Sequence, residues 1–196
     1  MLVGASPIYL GATPLLTRRN ILCNERFENA VPGSPGTMPS LWQSFLFNQG
    51  TVAQTIVGTG SVDGRRFIDI RLAGTAGTGG GWVLNARGGY ARQGHVLDWR
   101  LRIGRIDGST ANLSFAALQL ITKDRAFANT NIQQGSNFAS SITASLDLFN
   151  FQTAISSAFS EQIESELVIT FNNGGAIDVT LRFASPELVR LDADET

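Results

Sequence analysis

Apolar and polar residues alternate with period two over much of the chain. Leu97, Trp99, Leu101 and Ile103 interleave with Asp98, Arg100 and Arg102, and Ile177, Val179, Leu181 and Phe183 interleave with Asp178, Thr180 and Arg182. Successive side chains of a strand point to opposite faces, so these runs predict strands with one buried face. Ile68, Ile70 and Leu72 alternate with Asp69 and Arg71 in the same way, and Ile142, Ala144, Leu146 and Leu148 with Thr143, Ser145 and Asp147. Residues 42–47, 52–57, 82–86, 113–121 and 167–171 are further strand candidates. Asp63-Gly64, Asp107-Gly108 and Asn173-Gly174 fall between candidates and supply the positive φ of tight hairpins. Five prolines lie before residue 40 and the sixth is Pro186, which leaves the long proline-free block that hydrogen-bonded strands need. The expected fold is all-β, an antiparallel sandwich of the jelly-roll kind with about nine or ten strands. One or two helical turns are expected near residues 158–164, and the glycine-rich stretch 74–81 reads as a loop between strands, since no helix follows to make a phosphate cradle.

Length and composition narrow this further. The 196 residues suit one domain plus an arm. Residues 1–19 read as an anchoring arm, 20–191 as the sandwich and 192–196 as an acidic tail. In the arm, Pro7, Ile8, Tyr9 and Leu10 are the candidate contact residues for a partner or a neighbouring subunit. A formal net charge of −1 argues against a nucleic-acid binder, which needs a positive excess to displace counterions. No basic stretch precedes the apolar start, Pro7, Tyr9 and Pro14 interrupt it, and the apolar runs fall short of the roughly 20 residues that span a bilayer. Neither a signal peptide nor membrane insertion is expected.

Candidate chemistry is sparse. With His95 the only histidine and Cys23 the only cysteine, disulfide frameworks and histidine-dependent triads have no material. There is no G-x-S-x-G elbow and no Walker loop around Lys123. Glycoside hydrolysis needs two carboxylates about 5–10 Å apart; Glu28, Asp69, Asp98 and Asp178 are the available acids, and the last three read as outward strand positions beside arginine. Glu161, Glu164 and Glu166 read as a solvated turn. No catalytic residue is expected. Between residues 64 and 105 the net charge is +6, and between 161 and 196 it is −6, a complementarity that cross-strand pairing or subunit contact would use. All basic residues except Lys123 are arginine, whose planar fork suits either. Sugar rings stack on aromatic faces while amides and guanidinium groups bond their hydroxyls, so Trp82, Asn85, Arg87, Tyr90, Arg92 and Gln93 form a candidate glycan site. The competing reading puts Trp82 in the core and Tyr90 over a sheet edge. Trp99 is in phase with Leu97 and Leu101, and Trp42 opens a strand after the proline-rich loop, so both read as core.

The run from Asn20 to Glu28 (NILCNERFE), followed by Pro39-Ser40-Leu41-Trp42, resembles the opening of carbohydrate-binding-module-like jelly rolls. Residues 94–103 look like a central strand of that group, and residues 177–191 are similar to the last strand of versions found in bacteriophage tail and head-fibre proteins and gene-transfer particles. The resemblance implies a virion structural protein, a fibre, spike, decoration or tail component, partnered by other virion proteins and copies of itself, assembled in the host cytoplasm and contacting host surface polysaccharide. It leaves two alternatives: a carbohydrate-active enzyme or its accessory module, and an assembly module without ligand. It also implies a structural calcium for which Glu28 is the candidate ligand, although Ser185-Pro186 stands where relatives have paired aspartates, and Glu25-Arg26 departs from the usual first turn.

Overall fold

In the computed structural model, residues 20–124, 129–156 and 162–191 are described, and they form ten strands and one short 3-10 turn. The strands are β1 (Trp42–Phe47), β2 (Ala53–Val62), β3 (Arg65–Thr75), β4 (Gly81–Arg87), β5 (Val96–Ser109), β6 (Leu113–Lys123), β7 (Asn129–Gln134), β8 (Asp147–Ala154), β9 (Gln162–Phe171) and β10 (Ala176–Arg190). They pair antiparallel into two five-stranded sheets, in the orders β1-β4-β9-β6-β7 and β2-β3-β10-β5-β8. The expected antiparallel sandwich is therefore the observed fold. The arm residues Pro7, Ile8, Tyr9 and Leu10 and the tail 192–196 lie outside the described residues.

The alternation places one row of each strand between the sheets. Ile68, Ile70 and Leu72 of β3, Leu97, Trp99, Leu101 and Ile103 of β5, and Ile177, Val179, Leu181 and Phe183 of β10 meet Trp82, Leu84 and Ala86 of β4 and Ile163, Leu167 and Ile169 of β9 in one core. Trp82 stacks on Phe183 at 5.7 Å and its Nε1 donates to Gln54 Oε1 at 2.5 Å. Trp99 donates from Nε1 to the main-chain oxygen of Glu166 at 3.1 Å. Each indole is fully buried, so each has the polar partner that burial of its N–H demands.

The motif that opens the domain proves to be a structural clasp. Asn20 Oδ1 accepts the N–H of Leu188 and its Nδ2 donates to Pro186 O, which ties the chain entry to β10 where Ser185 has φ 46°. Asn24, at φ 57°, accepts from Glu28 N and donates to the carbonyls of Glu28 and Ser40. Its own carbonyl accepts Trp42 Nε1, and Phe27 packs on Trp42 at 4.8 Å. Asn and Phe, with Trp42 across the loop, are thus required by the turn and its packing.

Four local expectations change. The alternating run 142–148 is not a strand: Ala139–Ser141 form the 3-10 turn, Ile142 is buried beyond it, and β8 starts at Asp147 with Phe149 and Phe151 against the core. Asp107-Gly108 is no hairpin. It lies inside β5 opposite Thr180 and Val179, beside a register shift at Thr180/Leu181, with Gly108 at φ 72° where a side chain would run into the Asp178 carbonyl. That is a bulge, which uses the same backbone freedom as a turn. Of the expected helix, residues 158–161 lie outside the described residues, and Gln162 to Glu164 are in strand β9. The glycine-rich stretch is shorter as a loop than expected, since Gly74 ends within β3 and Gly81 opens β4. Asp63-Gly64 and Asn173-Gly174 turn as expected, with Gly64 and Gly174 at positive φ.

Candidate functional site

The outward rows of the sandwich separate the chemistry. On the sheet β2-β3-β10-β5-β8 they carry ion pairs. Arg182 grips Asp69 with two bonds of 2.8 Å and lies over the Phe67 ring at 3.7 Å, while Arg71 grips Asp178 at 3.0 and 3.2 Å. Arg100 binds Asp98, a carboxylate also reached by Asn150 Nδ2 at 3.5 Å. The three aspartates do stand beside arginine, but Asp69 and Asp98 are buried and not solvated as outward positions usually are. Two of the ion pairs, Arg71–Asp178 and Arg100–Glu187 at 4.0 Å, join an arginine of residues 64–105 to an acid of residues 161–196, so intramolecular pairing uses a small part of the charge complementarity between the two stretches.

The outward face of the sheet β1-β4-β9-β6-β7 is different. Cross-strand register sets Gln43, Asn85, Glu166, Gln119 and Gln134 in one row across all five strands. One step along, Phe45, Val83, Val168 and Ala117 form an apolar row; on the other side lie Arg87, Glu164, Ile121 and Ile132. Exposure follows the strand order, with Asn85 and Glu166 at 8% and 7% in the middle and Phe45 and Ile132 at 52% and 54% on the rims. We call this face the trough: it is covered least at the rims and most at the centre, polar along its middle row and apolar along one flanking row.

The floor is wired. Asn85 Nδ2 donates to Glu166 Oε1 at 2.7 Å and to Glu164 Oε2 at 3.0 Å. Gln119 Nε2 reaches Glu166 Oε2 at 3.4 Å, and Lys123 Nζ pairs with Glu164 at 2.8 Å. Burial pushes the Glu166 carboxyl above its usual range; Asn85 opposes the shift, Glu164 adds to it and Lys123 opposes it. A raised carboxyl pKa means that the folded chain holds this proton more firmly than the unfolded chain. Its contribution to stability is thus greatest at acid pH and is lost as pH rises through the unfolded and then the folded pKa. In Glu166→Gln that part of the pH dependence should vanish. Urea midpoints of the two proteins, compared from pH 4 to 7, should show the variant gaining on the parent as pH rises; parallel curves would show that Glu166 keeps an ordinary pKa.

The six glycan-site candidates do not converge. Trp82 is in the core, with Gln54 and Phe183 for company. Asn85 is on the trough floor and Arg87 is exposed beside it at the end of β4. Tyr90, Arg92 and Gln93 belong to the following loop, where Tyr90 is 81% exposed and Gln93 Nε2 donates to Ser156 O. His95 accepts from Arg92 N through Nδ1 in that loop. Glu28 is exposed in the first loop, and among the described residues no group of three histidine, cysteine or acidic side chains is placed to hold a metal. Glu164, Glu166, Lys123 and Gln119 are site residues that the sequence reading missed. Glu164 and Glu166 are not a solvated turn: their alternation with Ile163, Ser165 and Leu167 was the available signal of a strand with both acids on one face.

No protein-family model matches the sequence, and no curated protein matches it. Solved structures do match in fold. A CBM4 carbohydrate-binding module superposes with a TM-score of 0.52 at 15% identity, over 86% of this chain and 99% of the module. The enzymatically active domain of tailspike protein 4 of bacteriophage CBA120 gives 0.58 at 10% identity over 88% of this chain, which spans only 21% of that protein. A Stig cyclase of Fischerella sp. TAU, solved with an indole compound, gives 0.61 at 13% identity over 91% of this chain and all of the cyclase. The fold is that of the carbohydrate-binding β-sandwiches, a scaffold on which more than one chemistry is found.

Proposed function

We propose that this chain is a non-enzymatic structural component of a virion or phage-like particle, a fibre, spike, decoration or tail part, whose trough contacts neutral host-surface glycans. The observation that carries the glycan reading is the row Gln43, Asn85, Glu166, Gln119 and Gln134 beside exposed Phe45. Planar amides and a carboxylate along one line offer donors and acceptors to successive sugar hydroxyls, and the apolar row supplies a surface for the ring face. The particle role draws support from the shared fold of the tailspike domain and from the sequence resemblance described above. The absence of catalysis is part of the proposal.

A glycan array with the intact chain, followed by calorimetry on the best neutral ligand, tests this. Phe45→Ala and Gln119→Ala should each weaken binding about tenfold, the worth of one lost ring contact or hydrogen bond, and Tyr90→Ala should leave it unchanged. No binding on the array, or full binding in both trough variants, would reject the trough. The accessory-module reading draws support from the near-complete overlap with the CBM4 module. Mass spectrometry of purified particles separates the two, because an accessory module would be absent from them.

A further inference from the structure

On one open side of the sandwich the two sheets end in the edge strands β7 and β8. Ile155 N–H donates to His95 O at 2.8 Å, which assigns the odd-numbered residues of β8 to the ladder with β5. The N–H and C=O of Leu148, Asn150 and Gln152 therefore point away from β5, off the edge of the sheet, and no group among the described residues takes them up. Ala154 has the same parity, but its carbonyl accepts Gln133 Nε2 from β7 at 2.9 Å, and Gln133 also donates to Thr153 Oγ1 at 2.8 Å. The edge is thus closed at one end and open over Leu148, Asn150 and Gln152. Inward of the open part lies a groove of about 430 Å³ that reaches Leu118, where Phe138 and Phe149 stack at 4.2 Å with Phe151 beside them.

Open edges invite pairing, and proteins protect them with lysine, proline or a covering segment. β2, the other edge strand of this sheet, is covered: Gly33 N–H donates to Ile56 O at 2.9 Å and Ile56 N–H to Gly33 O at 3.0 Å. β8 has neither lysine nor proline, and no residue lining the groove is charged. The open stretch is also complementary to itself. Two copies of β8 laid antiparallel with Asn150 opposite Asn150 set Leu148 opposite Gln152, and the even-numbered residues of both strands then exchange bonds in hydrogen-bonded pairs. Sliding the strands by two residues would call on Ala154, whose carbonyl Gln133 occupies, or run past Asp147, where β8 begins. On the outer face the half-exposed Leu148 lies beside Gln152 and the Asn150 amides meet, with no like charges opposed. On the inner face Phe149 falls opposite Phe151 in a non-hydrogen-bonded pair, where side chains approach most closely, and each ring enters the other copy's groove beside Phe138.

We propose that this edge is the docking surface for a second copy of the chain, with β8 pairing β8 about a two-fold axis through Asn150 and joining two β2-β3-β10-β5-β8 sheets into one. The axis that relates antiparallel neighbours is normal to their sheet, so both copies keep the same face up and both troughs open on the same side. The dimer therefore offers two troughs to one surface and gains avidity from it. That consequence rests on the glycan reading, whereas the pairing itself does not.

Sedimentation equilibrium of the intact chain from roughly 5 to roughly 500 μM tests the pairing, with amide hydrogen exchange at both ends of that range. A monomer–dimer equilibrium is expected, and the N–H groups of Leu148, Asn150 and Gln152 should exchange at least about tenfold more slowly at the high concentration than at the low. Gln152→Pro removes an N–H that the β5 ladder does not use, and with it one bond between copies on each side of the axis; Asn150→Lys sets two like charges against each other at the axis. Each should weaken association about tenfold or more, while the Leu101 and Ile169 amides stay protected and show the sandwich intact. Phe45→Ala, which alters the trough, should leave association unchanged. A chain that is monomeric over the whole range would overturn the proposal, as would a dimer that neither β8 substitution weakens. Slow exchange of Asn150 and Gln152 in a monomeric chain would overturn it in favour of cover from within the chain.

Discussion

Trp82→Ala should cost the chain about 3–5 kcal/mol of stability, the range for deleting a fully buried aromatic ring. The indole is 0% exposed, stacks on Phe183, and is the partner of Gln54 Oε1. Alanine would leave a cavity between the sheets and a half-buried amide oxygen without its donor, and both effects act in the same direction. For a domain of this size the melting temperature should fall by about 10 °C or more. Tyr90→Ala, eight residues away in sequence and on the surface, should change stability by no more than about 0.5 kcal/mol. Thermal melts of the two variants side by side check this. Similar small shifts in both would mean that the Trp82 ring is not packed in the core. The contrast also decides how glycan data on Trp82 variants are read, since lost binding there would report a lost fold.

The second large effect is expected at Asp69. Its carboxylate is held by two 2.8 Å bonds from Arg182, with side-chain exposures of 7% for the aspartate and 25% for the arginine. The bond to Asp69 raises the pKa of Arg182 despite burial, and a guanidinium keeps its charge in proteins even when its partner is removed. Asp69→Ala would strand that charge over the Phe67 ring, a loss of about 3 kcal/mol for a broken, largely buried pair. Asp178→Ala breaks a pair of the same bidentate geometry, but with exposures of 48% and 65%. Solvent and salt screen that pair, and its loss should cost clearly less than the loss of the Asp69 pair. Urea unfolding of both variants at low and high salt is the check. Equal costs at the two sites would refute the distinction drawn from burial.

These pairs show where sequence is informative and where it stops. The alternation around Asp69 and Asp178 places both acids outward beside arginine, as found. Burial of Asp69 depends on its neighbour strand, where Gly58 leaves room that a side chain would narrow to 3.1 Å from Asp69 Oδ2. No pattern within one strand encodes that. The sandwich itself was legible because β3, β4, β5, β6 and β10 each keep an unbroken row of apolar residues in the core, whereas period two alone cannot tell the run at 142–148 from the one beginning at Asp147. Asp107-Gly108 failed as a hairpin signal because a bulge in a 14-residue strand makes the same demand on glycine as a turn. Half of the trough was hidden for a different reason. Asn85 stood out beside aromatic residues, but its partner Glu166 comes from β9, some 80 residues on in sequence, and Gln119, which also reaches Glu166, from β6, and only the sheet order brings them together.

The trough explains why the single lysine and two clustered acids sit in strands of an otherwise arginine-rich, charge-poor chain. Lys123 neutralises Glu164, Asn85 bridges Glu164 to Glu166, and the row continues to the rims through Gln43 and Gln134. Backbone amide mapping by NMR during titration with neutral tetrasaccharides of β-glucan, xylan and mannan type tests this use of the face most directly. The account predicts that shifts concentrate at Phe45, Asn85, Gln119, Glu166 and Val168 with at least one of them, leaving Tyr90 and Arg92 still. Shifts confined to the loop of Tyr90, Arg92 and Gln93, or none anywhere with any of the three, would contradict it.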